Sequence, residues 1–118
     1  MRYYITDDIS IGRLYWDFPV VNKTMANSIN ADTSVNINPY IMWNFGTVDM
    51  AMTITFNSSR EVPGTVPEYM LRFVAGNNCN IILPSNIIYA NGITPTYVAG
   101  RTYEINIAYN CAVVGEFY

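Results

Sequence analysis

From residue 35 onward, apolar and polar side chains alternate in short stretches, and this two-residue period constrains the fold more than any other feature. Successive side chains of a strand point to opposite faces of a sheet, whereas one face of a helix recurs about every 3.6 residues. The stretches therefore predict strands that bury one face each. Their apolar members are Val35 and Ile37; Met50, Met52, Ile54 and Phe56; Tyr69, Leu71, Phe73 and Ala75; and Tyr103, Ile105, Ile107 and Tyr109.

Turn-forming residues separate these stretches. Pro63 and Gly64 predict a turn, because Pro presets φ and Gly accepts the positive φ that follows. Asn91 and Gly92 are a favoured pair for a tight hairpin, and Ala99-Gly100 predicts a further turn. The chain has fourteen Asn and ten Thr against one Lys and no Gln, a composition typical of turns and strands. We predict an all-β fold, a small antiparallel β-sandwich of jelly-roll or immunoglobulin-like type with about six to eight strands.

The first 33 residues are predicted to form a separate N-terminal arm for attachment or oligomerisation, followed by the sandwich domain at residues 34–118. An arm of this length cannot enclose a core unaided. It nevertheless carries five aromatic side chains, which must be buried against something: Tyr3, Tyr4, Tyr15, Trp16 and Phe18. Either the arm adds strands to its own sandwich, or these residues bind a sister subunit or another partner. We take the five aromatics as the candidate partner-binding residues.

The composition argues against nucleic-acid binding, catalysis, nucleotide binding and metal binding. The net charge is −3 and only six residues are cationic, so the basic surface that nucleic-acid binding requires is missing. The chain has no histidine, which is the commonest general base and metal ligand. Neither a P-loop nor a dinucleotide-binding glycine motif occurs. We therefore expect a protein that is not an enzyme and that has no catalytic residues, no cofactor and no metal site.

The ends and the cysteines add two expectations. An apolar core of about 7 to 15 residues, which a secretory signal needs, is not present, and no apolar run approaches a bilayer span. We expect synthesis in a cytoplasm and no membrane partner. Cys79 and Cys111 lack metal-site spacing; free thiols are favoured, and a disulfide between them stays open.

The C-terminal half resembles the small β-sandwich domain that ends many structural proteins of bacteriophages and prophages of gut bacteria. The resemblance covers about residues 45–118. Its motifs are 68–79 (EYMLRFVAGNNC), 82–85 (ILPS), 89–92 (YANG), 95–96 (PT), 99–100 (AG), 102–107 (TYEINI) and 115–117 (GEF). Tyr89 is a departure, since such sequences often carry Trp at this position.

The resemblance implies a non-enzymatic virion protein, either a capsid decoration or a head- or tail-fibre component, made in the bacterial host cytoplasm. Proteins of this kind are commonly trimers, so we expect a homotrimer in contact with phage capsid or tail proteins through residues 1–33. The alternative is a carbohydrate-binding adhesion module that recognises host-surface or mucus glycans through loop aromatics such as Tyr97. The many Tyr and Asn residues suit stacking on sugars and hydrogen bonding to them.

Overall fold

The structure, a computed structural model, describes residues 21–24, 29 and 31–117. These residues are all-β, apart from one 3₁₀ turn at Ser58–Arg60. The strands are β1 Val21–Thr24, β2 Thr33–Ile37, β3 Ile41–Val48, β4 Ala51–Phe56, β5 Tyr69–Ala75, β6 Asn80–Ile82, β7 Ile88–Tyr89, β8 Thr102–Ala108 and β9 Cys111–Phe117. They form two packed sheets, ordered β1-β3-β5-β8-β9-β7 and β2-β4-β6.

Strand direction departs from the expected antiparallel sandwich. The strands up to β6 alternate between the sheets, so each sheet receives every second strand in the same direction. Among the described strands, five pairings are parallel, and only β5–β8 and β8–β9 are antiparallel. The antiparallel prediction is therefore wrong for most of the fold. The pairings do not establish a jelly-roll or immunoglobulin-like arrangement.

The core lies between the two sheets and follows the alternation. Met52 and Ile54 of β4 are buried, as are Leu71 and Phe73 of β5 and Ile105 of β8. In β3, a β-bulge shifts the register between Asn44 and Thr47. Because of the extra residue, side chains after the bulge face the side opposite to the one that a two-residue period predicts. Phe45 and Val48, although three positions apart, are therefore both buried.

All three predicted turns form, but one of them does not make the hairpin that the sequence favours. Pro63-Gly64 and Ala99-Gly100 form turns as expected, with Gly64 at φ +81° and Gly100 at φ +87°. Asn91 and Gly92 also lie in a turn, in which the Gly92 N–H donates to the Tyr89 carbonyl. That turn does not make a hairpin, because β7 before it pairs in parallel with β9.

The two-residue hairpin of the structure is Tyr109-Asn110. It joins β8 to β9, with Ala108 and Cys111 as the closing pair. Both turn residues have positive φ, +53° and +60°, as a type I′ turn requires.

The expected arm is not wholly separate from the domain. Within residues 1–33, the segment predicted as the arm, Val21–Thr24 pairs in parallel with β3, Ile29 bridges Val48, and Thr33 begins β2. The five candidate aromatics, Tyr3, Tyr4, Tyr15, Trp16 and Phe18, lie outside the described residues.

Candidate functional site

Residues of four motifs of the resemblance, 89–92, 95–96, 102–107 and 115–117, lie together at the β9–β7 edge of the six-stranded sheet. The loop that follows β7 and the exposed side of β9 border an open groove of about 370 Å³. We call it the β9 groove. Its lining is Tyr89, Ala90, Asn91, Ile93, Pro95, Thr96, Tyr103, Ala112, Val113, Val114 and Glu116.

A hydrogen-bond network beside the β9 groove is centred on Tyr103. The Tyr103 hydroxyl accepts the Val98 N–H at 2.7 Å and donates to Glu116 Oε2 at 2.8 Å. Arg101 Nη1 donates to the same carboxylate oxygen at 2.8 Å. Burial raises the pKa of the Tyr103 hydroxyl, and the Glu116 carboxylate adds to this shift. The network ties the loop to β9 with a neutral phenol.

Tyr97, the aromatic expected to stack on sugars, is packed inside the loop. Its ring meets Phe73 edge-on at a centroid distance of 5.4 Å and Tyr103 at 4.9 Å. Burial raises the pKa of its hydroxyl, with the Tyr89 hydroxyl contributing. The Tyr97 ring is half-buried in these contacts, which reduces the area that it could offer to a sugar.

A second cleft, of about 200 Å³, lies beside the β8–β9 hairpin. We call it the hairpin cleft. Its lining is Phe56, Glu61, Val66, Pro67, Tyr69, Ile107, Ala108, Tyr109 and Asn110. The alternation predicted Tyr109 to face the core with Ile105 and Ile107. It is instead 83% exposed, because β8 ends at Ala108 and Tyr109 begins the turn.

Aromatic packing and one carboxylate organise the inner wall of the hairpin cleft. The rings of Phe56 and Tyr69 are stacked with centroids 4.1 Å apart. The Tyr69 hydroxyl donates to Glu61 Oε2 at 2.6 Å. Burial raises the pKa of Tyr69, and the hydrogen bond and charge of Glu61 raise it further.

Hydrogen bonds of the Tyr40 hydroxyl hold the loop that carries Glu61 and Val66. The Tyr40 hydroxyl accepts the Val62 N–H at 2.9 Å and shares a hydrogen bond with the Thr65 hydroxyl. Thr65 Oγ1 is in turn 2.7 Å from the Val62 carbonyl. These three hydrogen bonds join Tyr40, Val62 and Thr65 and hold residues 62–65 beside the cleft.

Both cysteines are free thiols in the structure. Burial raises the pKa of the Cys79 thiol to about 11, and the neighbouring Asp49 carboxylate contributes. Asp49 also accepts the Asn78 N–H at 3.0 Å, so this carboxylate closes the turn before β6. Cys79 is thus a poor nucleophile at neutral pH.

Within residues 21–24, 29 and 31–117, no three His, Cys, Asp or Glu side chains come together as a metal site would require. In the same part of the chain, no helix has the length and apolar character of a membrane span. No protein family, curated protein or solved structure matches this chain. The contacts of its own residues therefore carry the functional argument.

Proposed function

We propose that this chain is a non-enzymatic structural protein of a bacteriophage particle. In this role it is a capsid decoration or a head- or tail-fibre component that displays its two-sheet domain. The observation that carries the proposal is the Tyr103 network. The motif residues Tyr103 and Glu116 are engaged in joining a loop to a strand, with Arg101 bound to the same carboxylate. Side chains that hold a loop to a strand serve the stability of the domain, and this role suits a structural domain displayed on a particle.

Attachment is assigned to the segment before β1. Residues 1–20 contain all five candidate aromatics, and β1 from Val21 already belongs to the sheet. Rigid aromatic side chains are effective anchors at protein interfaces, because they bury a large area at little entropic cost. We propose that this segment contacts sister subunits of a homotrimer and the capsid or tail of the virion.

The test is incorporation into particles. Virions assembled in the producing host, with the full chain or with a chain lacking residues 1–20, are purified and analysed by mass spectrometry and electron microscopy. The truncation stops before β1 and so keeps every strand that pairs with β3 and β5. We expect the full chain in virions, and the truncated chain folded by circular dichroism but absent from them.

Three outcomes would contradict the proposal. The first is absence of the full chain from purified virions, which refutes the structural role. The second is a monomeric full chain by light scattering, which refutes the trimer. The third is a truncated chain that still enters particles, which refutes attachment through residues 1–20.

A further inference from the structure

Tyr109 occupies a backbone position that disfavours it. The first residue of a type I′ turn has positive φ, where Asn, Asp and Gly are preferred and a bulky side chain is strained. Tyr109 adopts φ +53° there and leaves 83% of its surface in solvent. Strained residues cluster at binding sites, where the surrounding structure holds them in place. An exposed aromatic ring held at such a position suggests a ligand contact.

Tyr40 shows the contrasting case. It also has positive φ, +67°, but its hydroxyl bonds Val62 and Thr65 and so takes part in the fold. The Tyr109 ring projects beside the hairpin cleft, whose inner wall is the Phe56–Tyr69 stack. Val66 and Pro67 supply further apolar lining. The cleft therefore offers apolar surface next to an exposed aromatic ring.

Hydrogen-bonding groups stand at the same cleft. The Glu61 carboxylate uses Oε2 to accept from Tyr69, and no described residue donates to Oε1. The side chain of Asn110, which is exposed, offers both a donor and an acceptor. A carboxylate and an amide beside an aromatic ring match a ligand with an apolar face and a hydroxyl-bearing edge.

We propose that the hairpin cleft binds an uncharged saccharide, one ring of which packs on Tyr109 and hydrogen-bonds Glu61 and Asn110. At about 200 Å³ the cleft is smaller than the roughly 300–1,000 Å³ of drug-sized sites, so it holds one ring of a longer glycan. Among the described residues that line it there is no Lys or Arg, while Glu61 is acidic, and this disfavours acidic sugars. Hydrogen bonds to Tyr40 hold the loop that carries Glu61 and Val66, which lowers the conformational entropy that binding costs. This inference is independent of the particle role.

The experiment is an NMR titration of the full ¹⁵N-labelled chain with the methyl glycosides of glucose, galactose and N-acetylglucosamine. N-acetylneuraminic acid and tetramethylammonium are the charged comparators. We expect at least one neutral glycoside to shift the amides of Glu61, Tyr109 and Asn110, with a millimolar Kd. The charged comparators should leave these amides unshifted.

Variants separate binding from folding. Tyr109→Asn removes the ring but suits the positive φ, so it should weaken binding roughly tenfold or more while the thermal midpoint rises. Tyr109→Phe keeps the ring and should retain binding within about twofold. Glu61→Gln should weaken binding several-fold. Ile93→Ala, at an exposed residue of the β9 groove, is the matched control and should bind as the wild type does.

The proposal is overturned if no neutral glycoside shifts these amides, or if only tetramethylammonium does. It is equally overturned if Tyr109→Asn binds as tightly as the wild type. None of these results bears on incorporation of the chain into virions, so the two proposals fail separately.

Discussion

Tyr103 and Glu116 are register partners on β8 and β9, and their side chains are joined by a hydrogen bond of 2.8 Å. Because the Tyr103 hydroxyl also accepts the Val98 N–H, this pair connects the loop before β8 to the last strand. A single phenol thus links three segments of the chain: the loop before β8, β8 itself and the C-terminal strand β9.

Tyr103→Phe is predicted to destabilise the protein by about 1–3 kcal/mol, because Val98 and Glu116 both lose a partner in a partly buried site. Urea unfolding followed by circular dichroism measures the change. Tyr109→Phe is the matched control, since it deletes a hydroxyl from a side chain that is 83% exposed, and it should lie within about 0.5 kcal/mol of the wild type. Equal stabilities of the two variants would contradict the role of the network.

Gly76→Ala is predicted to destabilise the protein by about 1–3 kcal/mol, because the new Cβ overpacks the site. It would lie 2.5 Å from Asp49 Oδ1 and 2.7 Å from Asp49 Cβ, and so displace the carboxylate that accepts the Asn78 N–H. The control is Gly115→Ala, whose Cβ would meet its nearest neighbour at 3.7 Å. The control should be neutral or stabilising by up to about 1 kcal/mol, since Ala is favoured over Gly within a strand. If Gly76→Ala proves as stable as the control, the close approach at Asp49 is wrong.

Cys79 should react with iodoacetamide in a way that reveals its raised pKa. In a Cys111→Ser background, the alkylation rate of the folded protein is expected to keep rising with pH toward about 11, where the Cys79 thiol titrates. The same chain unfolded in urea should level off near the ordinary thiol value of about 8.5. Identical pH profiles for the folded and unfolded chains would show that burial does not protect the thiol.

Tyr69 makes stability depend on alkaline pH. An unfolded chain releases a tyrosine proton near pH 10, whereas the folded protein holds the Tyr69 proton to higher pH because of burial and the Glu61 carboxylate. The unfolded state then binds fewer protons, so stability is fully present below about pH 10 and is lost as pH rises above it. Urea unfolding at several alkaline pH values should show this decline, with a smaller slope for Tyr69→Phe. An unchanged slope in that variant would assign the decline to other groups.

The alternation allowed much of the fold to be predicted. It identified the buried face of β5 through Leu71 and Phe73, and of β8 through Ile105 and Ile107. Pro63-Gly64 and Ala99-Gly100 were predicted as turns for reasons of backbone conformation, which are local. The same local pattern placed Tyr109 in the core, because a two-residue period does not show where a strand ends.

Only the tertiary structure decided strand direction, partners and the two clefts. A period of two reports that one face is buried, but it is the same for parallel and antiparallel neighbours. The crossing from β2 to β3 and from β4 to β5 places alternate strands in different sheets, and this depends on contacts far apart in the chain. The hairpin cleft likewise joins Glu61 to Tyr109 across 48 positions of sequence. The sequence by itself indicated which faces of β4, β5 and β8 leave water, because hydrophobicity is a property of each residue. The neighbours of those side chains were decided by the fold, because packing is a property of all of them together.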